Sequence, residues 1–263
     1  MSAPVLHPTQ IDGGARGRLR LAQLYPRDMN IYGDWGNTLT LLRRANWAGY
    51  DVELCSYDLG DELPESVDLV VGGGGQDSGQ ERIKQDLVQV GPRIHEWAQA
   101  GVPMLVICGL YQLFGHRFVT SEGSVIPGIG LLDAETVGGS RRMIGNIVLD
   151  AEGFGQVVGY ENHSGITRLG AGAKPFGQVR SGDGNNGEDG LEGARVHKVI
   201  GTYLHGSLLP KNPTVADWLL EQAVLHAGGS WDPAPLDALA PAAPVDLAAM
   251  TERAREVAIS RPR

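Results

Sequence analysis

The chain has 263 residues, 42% hydrophobic and 20% charged, with 38 glycines and a formal net charge of −9. That length and balance suit one large α/β domain with appendages. The acidic surplus, with no basic run or stripe, argues against a nucleic-acid partner.

Cys55 and Cys108 are the only cysteines. Two thiols make no disulfide framework, and no metal-ligand spacing is present. No N-terminal apolar stretch reads as a signal peptide, and no segment approaches the roughly 20 apolar residues that span a bilayer. A reduced, cytoplasmic protein is expected, peripheral to a membrane only through a partner.

Residues 1–17 are polar and glycine-containing and predict a mobile tail. RLRLAQLY (18–25) alternates as a first strand. In GNTLTLLRRANWAGY (36–50), Leu39, Leu42, Ala45 and Trp47 recur at helical spacing, and Gly49 is a stop signal. DVELCSYDL (51–59) reads as a second strand. VDLVV (67–71) reads as a third and runs into GGGGQD. Ile83, Leu87, Val90, Ile94 and Trp97 predict a long helix from Ser78 to Ala100. PMLVIC (103–108) is a fourth strand, and Gly109, Leu110, Tyr111, Gln112 and Leu113 begin another helix. Strands alternating with helices imply right-handed crossovers and a parallel sheet. Ligands gather at the carboxyl ends of such strands, where the glycine turn and Cys108 both lie.

The second half predicts shorter strands: MIGNIVLD (143–150), QVVGYENHS (156–164), KPFGQVRSG (174–182) and VHKVIGTYLHG (196–206). SGDGNNGEDGLEG (181–193) reads as a flexible polar loop. PTVADWLLEQAVLHAGG (213–229) is a helix with proline at its start and glycines at its end. Residues 232–244 shift to alanine and proline, as in a linker or strap. Residues 245–260 suit an amphipathic helix with Leu247, Met250, Ala254 and Val257 on one face, which packs on its own domain or, as the alternative, docks a partner. The expected organisation is a tail (1–17), a main domain (18–230) and a strap with a helix (231–263).

Three stretches could carry chemistry. A cysteine on a strand-to-helix turn sits near the positive end of a helix dipole, which lowers a thiol pKa and exposes the sulfur. The competing reading of Cys108 is a small buried thiol. A nucleophilic cysteine needs a base. His205, in GTYLHG, and His163, in ENHSG, both end strand-like runs; the other five histidines stand in ordinary positions. VVGGGGQD (70–77) lacks the Lys-Ser or Lys-Thr of a P-loop and the spacing of a dinucleotide fingerprint. Its free N–H groups suit an oxyanion hole, and a flexible turn is the alternative. No Walker motif occurs in the chain.

VVGGGGQD, LVICGLYQLFG and GTYLHG, in this order, resemble a triad-type (class I) glutamine amidotransferase domain of the cobyric-acid-synthase-like branch. LYPRDMNIYGDWGNTLTLLRRANWAGYDVEL (24–54) and RRMIGNIVL…GYENHSG narrow the resemblance to the glutaminase subunits of lipid II isoglutaminyl synthases. It spans residues 18–228. It implies a flavodoxin-like α/β fold with a central, mostly parallel sheet flanked by helices.

By that resemblance Cys108 attacks the side-chain amide of L-glutamine and His205 passes the proton to departing ammonia. The N–H groups of Gly74, Gly75 and Gly109 hold the oxyanion. Gln112 helps position the substrate, and Arg142, rather than its neighbour Arg141, pairs with the α-carboxylate. His163 is structural or near the ammonia exit. No cofactor is implied in this chain; ATP and Mg belong to a Mur-ligase-like synthetase partner that amidates lipid II with the released ammonia. A corrinoid-type acceptor and a catalytically silent scaffold are the alternatives. Two departures stand out. Leu110 occupies the usual elbow-glycine position, and Ser207 stands where the wider family has a glutamate that orients the histidine. A Cys-His dyad is therefore expected, slow until a partner orders it.

Overall fold

The computed structural model describes residues 5–6, 16–232 and 246–261. In its first half the elements are β1 (Val5–Leu6), β2 (Gly17–Leu24), α1 (Trp35–Trp47), β3 (Tyr50–Tyr57), β4 (Leu69–Gly72), α2 (Asp77–Gln99), β5 (Met104–Ile107) and α3 (Gly109–Phe114). Then come β6 (Arg117–Val119), β7 (Val125–Pro127), β8 (Ala134–Ala151), β9 (Gly155–Leu169), β10 (Gly177–Ser181), β11 (Leu191–Glu192), β12 (Ala194–Val196) and β13 (Val199–Thr202). Three helices follow, α4 (Leu208–Lys211), α5 (Pro213–His226) and α6 (Leu247–Ser260).

The larger sheet runs β1-β3-β2-β4-β5-β13-β12. Its five inner strands are parallel, and the two edges pair antiparallel. Counted by first appearance, the parallel strands stand 2-1-3-4-5, the flavodoxin-like order. The chain steps one way from β2 to β3 and the other way from β4 to β5. Right-handed crossovers therefore put α1 and α2 on opposite faces. The order reverses between β2 and β4, which opens a crevice at their carboxyl ends. Strands β4, β5 and β13 are buried at every position, which is why they read as unbroken apolar runs. Each fully buried aliphatic side chain here contributes about 1.5–3 kcal/mol.

The second sheet runs β11-β10-β8-β6-β7, with β9 paired to β8. Its spine is the β8–β9 hairpin, and MIGNIVLD and QVVGYENHS are parts of its two arms. The register slips between Gly138 and Met143. That slip, in the stretch GSRR, hid the first part of β8 from a reading by alternation.

Four expectations need correcting. Leu39 is 41% exposed, because α1 turns Asn37, Thr38, Leu41, Leu42 and Ala45 inward instead. Asn37 is buried because its Oδ1 accepts from the Leu209 N–H where α4 starts. Residues 181–193 form a bonded loop. Glu161 accepts from the Asp183 and Gly184 N–H groups, and Asn185 exchanges two hydrogen bonds with Gly193. The C-terminal helix buries no residue, and Leu247, Met250 and Val257 stay exposed. Its Arg255 anchors it by donating to the Gln156 and Lys211 carbonyls and to Asn212 Oδ1. Within the tail, Val5–Leu6 pairs with β3. The rest of the tail up to residue 15 lies outside the described residues, as does most of the strap.

Candidate active site

Cys108 follows β5 directly, with φ 47° and ψ −101°. A left-handed φ at a non-glycine residue costs about 1–3 kcal/mol and persists only where surrounding bonds impose it. Here the Cys108 N–H donates to the Thr202 carbonyl at 2.8 Å, and its own carbonyl accepts from the Gln112 N–H at 2.9 Å. The strand on one side and the helix on the other thus hold the bend, as at a nucleophile elbow.

Leu110 fits at the usual glycine position because Gly72 faces it. A Cβ at Gly72 would come within 2.3 Å of Leu110 Cδ1. The need for glycine moves to Gly109, where a Cβ would sit 2.9 Å from the Gly75 nitrogen. The N–H-bearing backbones of Gly75 and Gly109 therefore stand side by side next to Cys108. Gly74 does not share that arrangement. Its N–H already donates to Asp34 Oδ2 at 2.8 Å, so this oxyanion donor drops out.

His205, just past β13, is buried and fixed by its N–H to the Tyr160 carbonyl at 2.7 Å. A single point above Gly74 lies 2.7 Å from His205 Cε1 and 3.1 Å from Cys108 Cβ. The cysteine and the histidine, 97 positions apart in the chain, thus flank one glycine.

Asp34 is the residue the sequence reading missed. Its Oδ2 lies 3.4 Å from His205 Nδ1, and both side chains are almost fully buried. Burial opposes charge on His205, but Cys108 and the Asp34 carboxylate outweigh it and raise the imidazole to about 10. Asp34 immediately precedes α1 and reads as an ordinary N-cap, yet its side chain makes no cap bond. Nothing local in the sequence marks it as turned inward.

Ser207 does not take the place of a missing carboxylate. Its Oγ donates to the Gly33 carbonyl at 2.9 Å, so it ties the histidine loop to the loop that carries Asp34.

A cavity of about 360 Å³ opens beside Cys108, lined among others by Tyr32, Gln112, Arg142, Asn162 and His163. Arg142 donates to Asn162 Oδ1 at 2.7 Å and to the Tyr32 hydroxyl at 3.1 Å. Arg141 pairs with Asp183 instead, so only Arg142 of the two lines the cavity. Gln112 is buried, accepting from Gln80 and donating to the Tyr203 hydroxyl. His163 stacks flat on Tyr203 at 3.5 Å and shares a hydrogen bond with the Gly165 carbonyl. Burial pushes it down to about 3, so it is neutral at ordinary pH and differs from His205 in electrostatic character.

Chemically, a thiol on a strained turn, a buried imidazole favoured in its charged form and two adjacent N–H groups make the parts of an acyl-transfer centre. The guanidinium across the cavity suits a carboxylate.

The chain belongs to the CobB/CobQ-like glutamine amidotransferase family, whose domain matches residues 20–213. It carries a glutamine amidotransferase domain of the α/β class I fold.

More narrowly, it is 36% identical over 210 residues to the lipid II isoglutaminyl synthase (glutamine-hydrolyzing) subunit GatD of Staphylococcus aureus, covering 80% of this chain and 86% of that protein. It is 38% identical over 216 residues to the same subunit of Streptococcus pneumoniae, covering 81% and 83%. Among solved structures, one titled as a glutamine amidotransferase aligns with a TM-score of 0.55 at 18% identity, over 77% of this chain and 98% of the other. That likeness bears on the fold.

Proposed function

We propose that this chain is the glutaminase subunit of a two-subunit lipid II isoglutaminyl synthase. The observation that carries the reading is the buried pair itself, Cys108 on its strained turn beside a His205 whose charged form is favoured. It is joined by the likeness to the two GatD subunits across four-fifths of both chains.

In this reading Arg142 binds the α-carboxylate of L-glutamine and Gln112 steadies the substrate. Cys108 Sγ attacks the side-chain amide carbon. Gly75 and Gly109 donate to the oxyanion as it develops. His205, oriented by Asp34, gives its proton to the departing nitrogen, and ammonia leaves. Water then attacks the thioester, with His205 as base, and glutamate is released with a free thiol. Ammonia passes to a Mur-ligase-like, ATP-dependent partner, which amidates the α-carboxylate of D-glutamate in the stem peptide.

A corrinoid acceptor has less support, because a probable cobyric acid synthase from Methanoregula boonei matches only 49% of this chain and 26% of its own length. A silent scaffold sits poorly with an intact thiol and imidazole. The test is co-purification with the ligase, then glutamine-dependent amidation of lipid II with Cys108→Ser as control. Amidation supported by ammonium salts but not by glutamine would refute the assignment of this chain as nitrogen donor.

A further inference from the structure

Gln80 lies in the first turns of α2, outside every motif discussed above, and is 1% exposed. Its Nε2 donates to the Gly109 carbonyl at 3.0 Å and to Gln112 Oε1 at 2.8 Å. A backbone carbonyl only accepts, so the Gln80 atom facing Gly109 has to be the nitrogen. The Gln112 atom facing that nitrogen then has to be the oxygen. This turns the Gln112 NH2 toward the Tyr203 hydroxyl, 3.1 Å away. The Tyr203 hydroxyl, accepting there, also shares a hydrogen bond with Thr167 Oγ1 at 2.6 Å, and Thr167 shares one with Thr136 Oγ1 at 2.7 Å. A main-chain carbonyl next to Cys108 thus sets the orientation of two buried carboxamides in turn.

We propose that Gln80 is a positioning residue for substrate recognition, fixing the Gln112 amide in one of its two orientations at the wall of the glutamine cavity. This inference rests on the glutaminase reading and adds to it a residue that acts through Gln112. The two orientations of an amide are nearly equal in shape but opposite in hydrogen bonding. A flipped Gln112 would exchange the acceptor and the donor it presents at the cavity wall. Packing cannot choose between them, whereas the Gly109 carbonyl, through Gln80, does. Gln112 also has little freedom to move away. A Cβ at Gly165 would lie 2.6 Å from Gln112 Nε2 and 2.8 Å from the Tyr203 hydroxyl, so the β9 backbone closes over the pair.

The test is steady-state glutamine hydrolysis by the full chain with its ligase partner, with Cys108→Ser as blank. Gln80→Met keeps the volume and removes both donors. The expected result is a rise in KM for glutamine of about tenfold, the worth of one or two buried hydrogen bonds. The expected kcat stays within about twofold of wild type, as for a loss of uniform binding. Gln80→Glu, nearly isosteric and a poor donor, raises KM as well and serves where the methionine variant does not fold. Because Gln80 acts through Gln112, the double variant Gln80→Met/Gln112→Met matches Gln112→Met alone.

A wild-type KM in both Gln80 variants overturns the inference. So do effects of the two methionine changes that simply multiply, or a loss confined to kcat and melting temperature. If the wild-type enzyme itself releases no Cys108-dependent glutamate, the glutaminase reading fails, and that outcome is separate from the role of Gln80.

Discussion

Replacing Asp34 with asparagine removes one charge and little else. Asn keeps the shape, and its Oδ1 can still accept the Gly74 N–H that Asp34 Oδ2 accepts at 2.8 Å. What changes is the field at His205. At 3.4 Å and an effective dielectric of about 20, a carboxylate and an imidazolium attract by about 5 kcal/mol. That is an upper figure, since the contact is longer than a good hydrogen bond; bonds to charged groups are worth about 1.5–3 kcal/mol. The smaller range converts to a loss of about 10- to 150-fold in kcat/KM.

The pH dependence has a definite sign. His205 is raised to about 10 from an ordinary 6.5, so its charged form survives well into the alkaline range. Without Asp34 the imidazolium is lost at lower pH, and the alkaline limb of the kcat/KM profile moves down by about one to two pH units. The assay is glutamate release from pH 6 to 10, by the wild type and Asp34→Asn, alone and with the ligase. An unchanged rate and an unchanged alkaline limb in both settings would show that the carboxylate does not serve the histidine.

Three further outcomes are expected. Gly74→Ala abolishes glutaminase activity while the domain stays folded, because the new Cβ meets His205 Cε1 at 2.7 Å and Cys108 Cβ at 3.1 Å; circular dichroism with glutamate release checks it. Arg142→Lys raises KM for glutamine about tenfold or more and is no better than Arg142→Gln, because an ammonium cannot hold Asn162, Tyr32 and a carboxylate in one plane; initial-rate kinetics decide it. His163→Phe keeps the stack on Tyr203 but cannot take a proton. In wild type the folded His163 is held down to about 3 against an ordinary 6.5, so the unfolded chain binds the extra proton between those values. Stability from this group is therefore lost as pH falls from 6.5 toward 3, about 2 kcal/mol of it by pH 5. Urea titrations at pH 7 and pH 5 should show a smaller acid loss in the variant; equal losses would mean that the buried ring is not the proton-excluding group.

The order of strands and helices was legible because the parallel strands are buried on both faces and α2 keeps a long apolar stripe. Cys108 and His205 could be singled out because each ends a strand-like run at a glycine. Other features depended on contacts between distant segments. Asp34 reads as a cap, and only the approach of the glycine turn to its carboxylate gives it a different use. Gly74 has the composition of an oxyanion donor, but its N–H is taken by a residue 40 positions earlier. Gln80 sits at helical spacing as a polar residue with no local reason to be buried. Leu39 falls at the helical spacing yet stays exposed, while Asn37, which accepts from the Leu209 N–H, is buried. The 181–193 loop has the composition of a flexible segment, and its carboxamides pair the backbone that composition leaves unsatisfied. Arg141 and Arg142 are alike as letters, and the register slip in β8 separates their surroundings.

The position of β13 has a consequence for how the protein is made. This strand inserts between β5 and β12, and it arrives nearly a hundred residues after Cys108. A chain emerging from the ribosome can pair β2, β3, β4 and β5 early, which leaves the Met104–Ile107 edge bare until residues 199–202 are synthesised. Such an edge is a template for unwanted pairing, and this one lies beside a thiol that still lacks its imidazole. Long-range pairing of this kind slows folding in general, and in this chain the thiol of Cys108 meets the imidazole of His205 only when the last strand of the parallel sheet is in place.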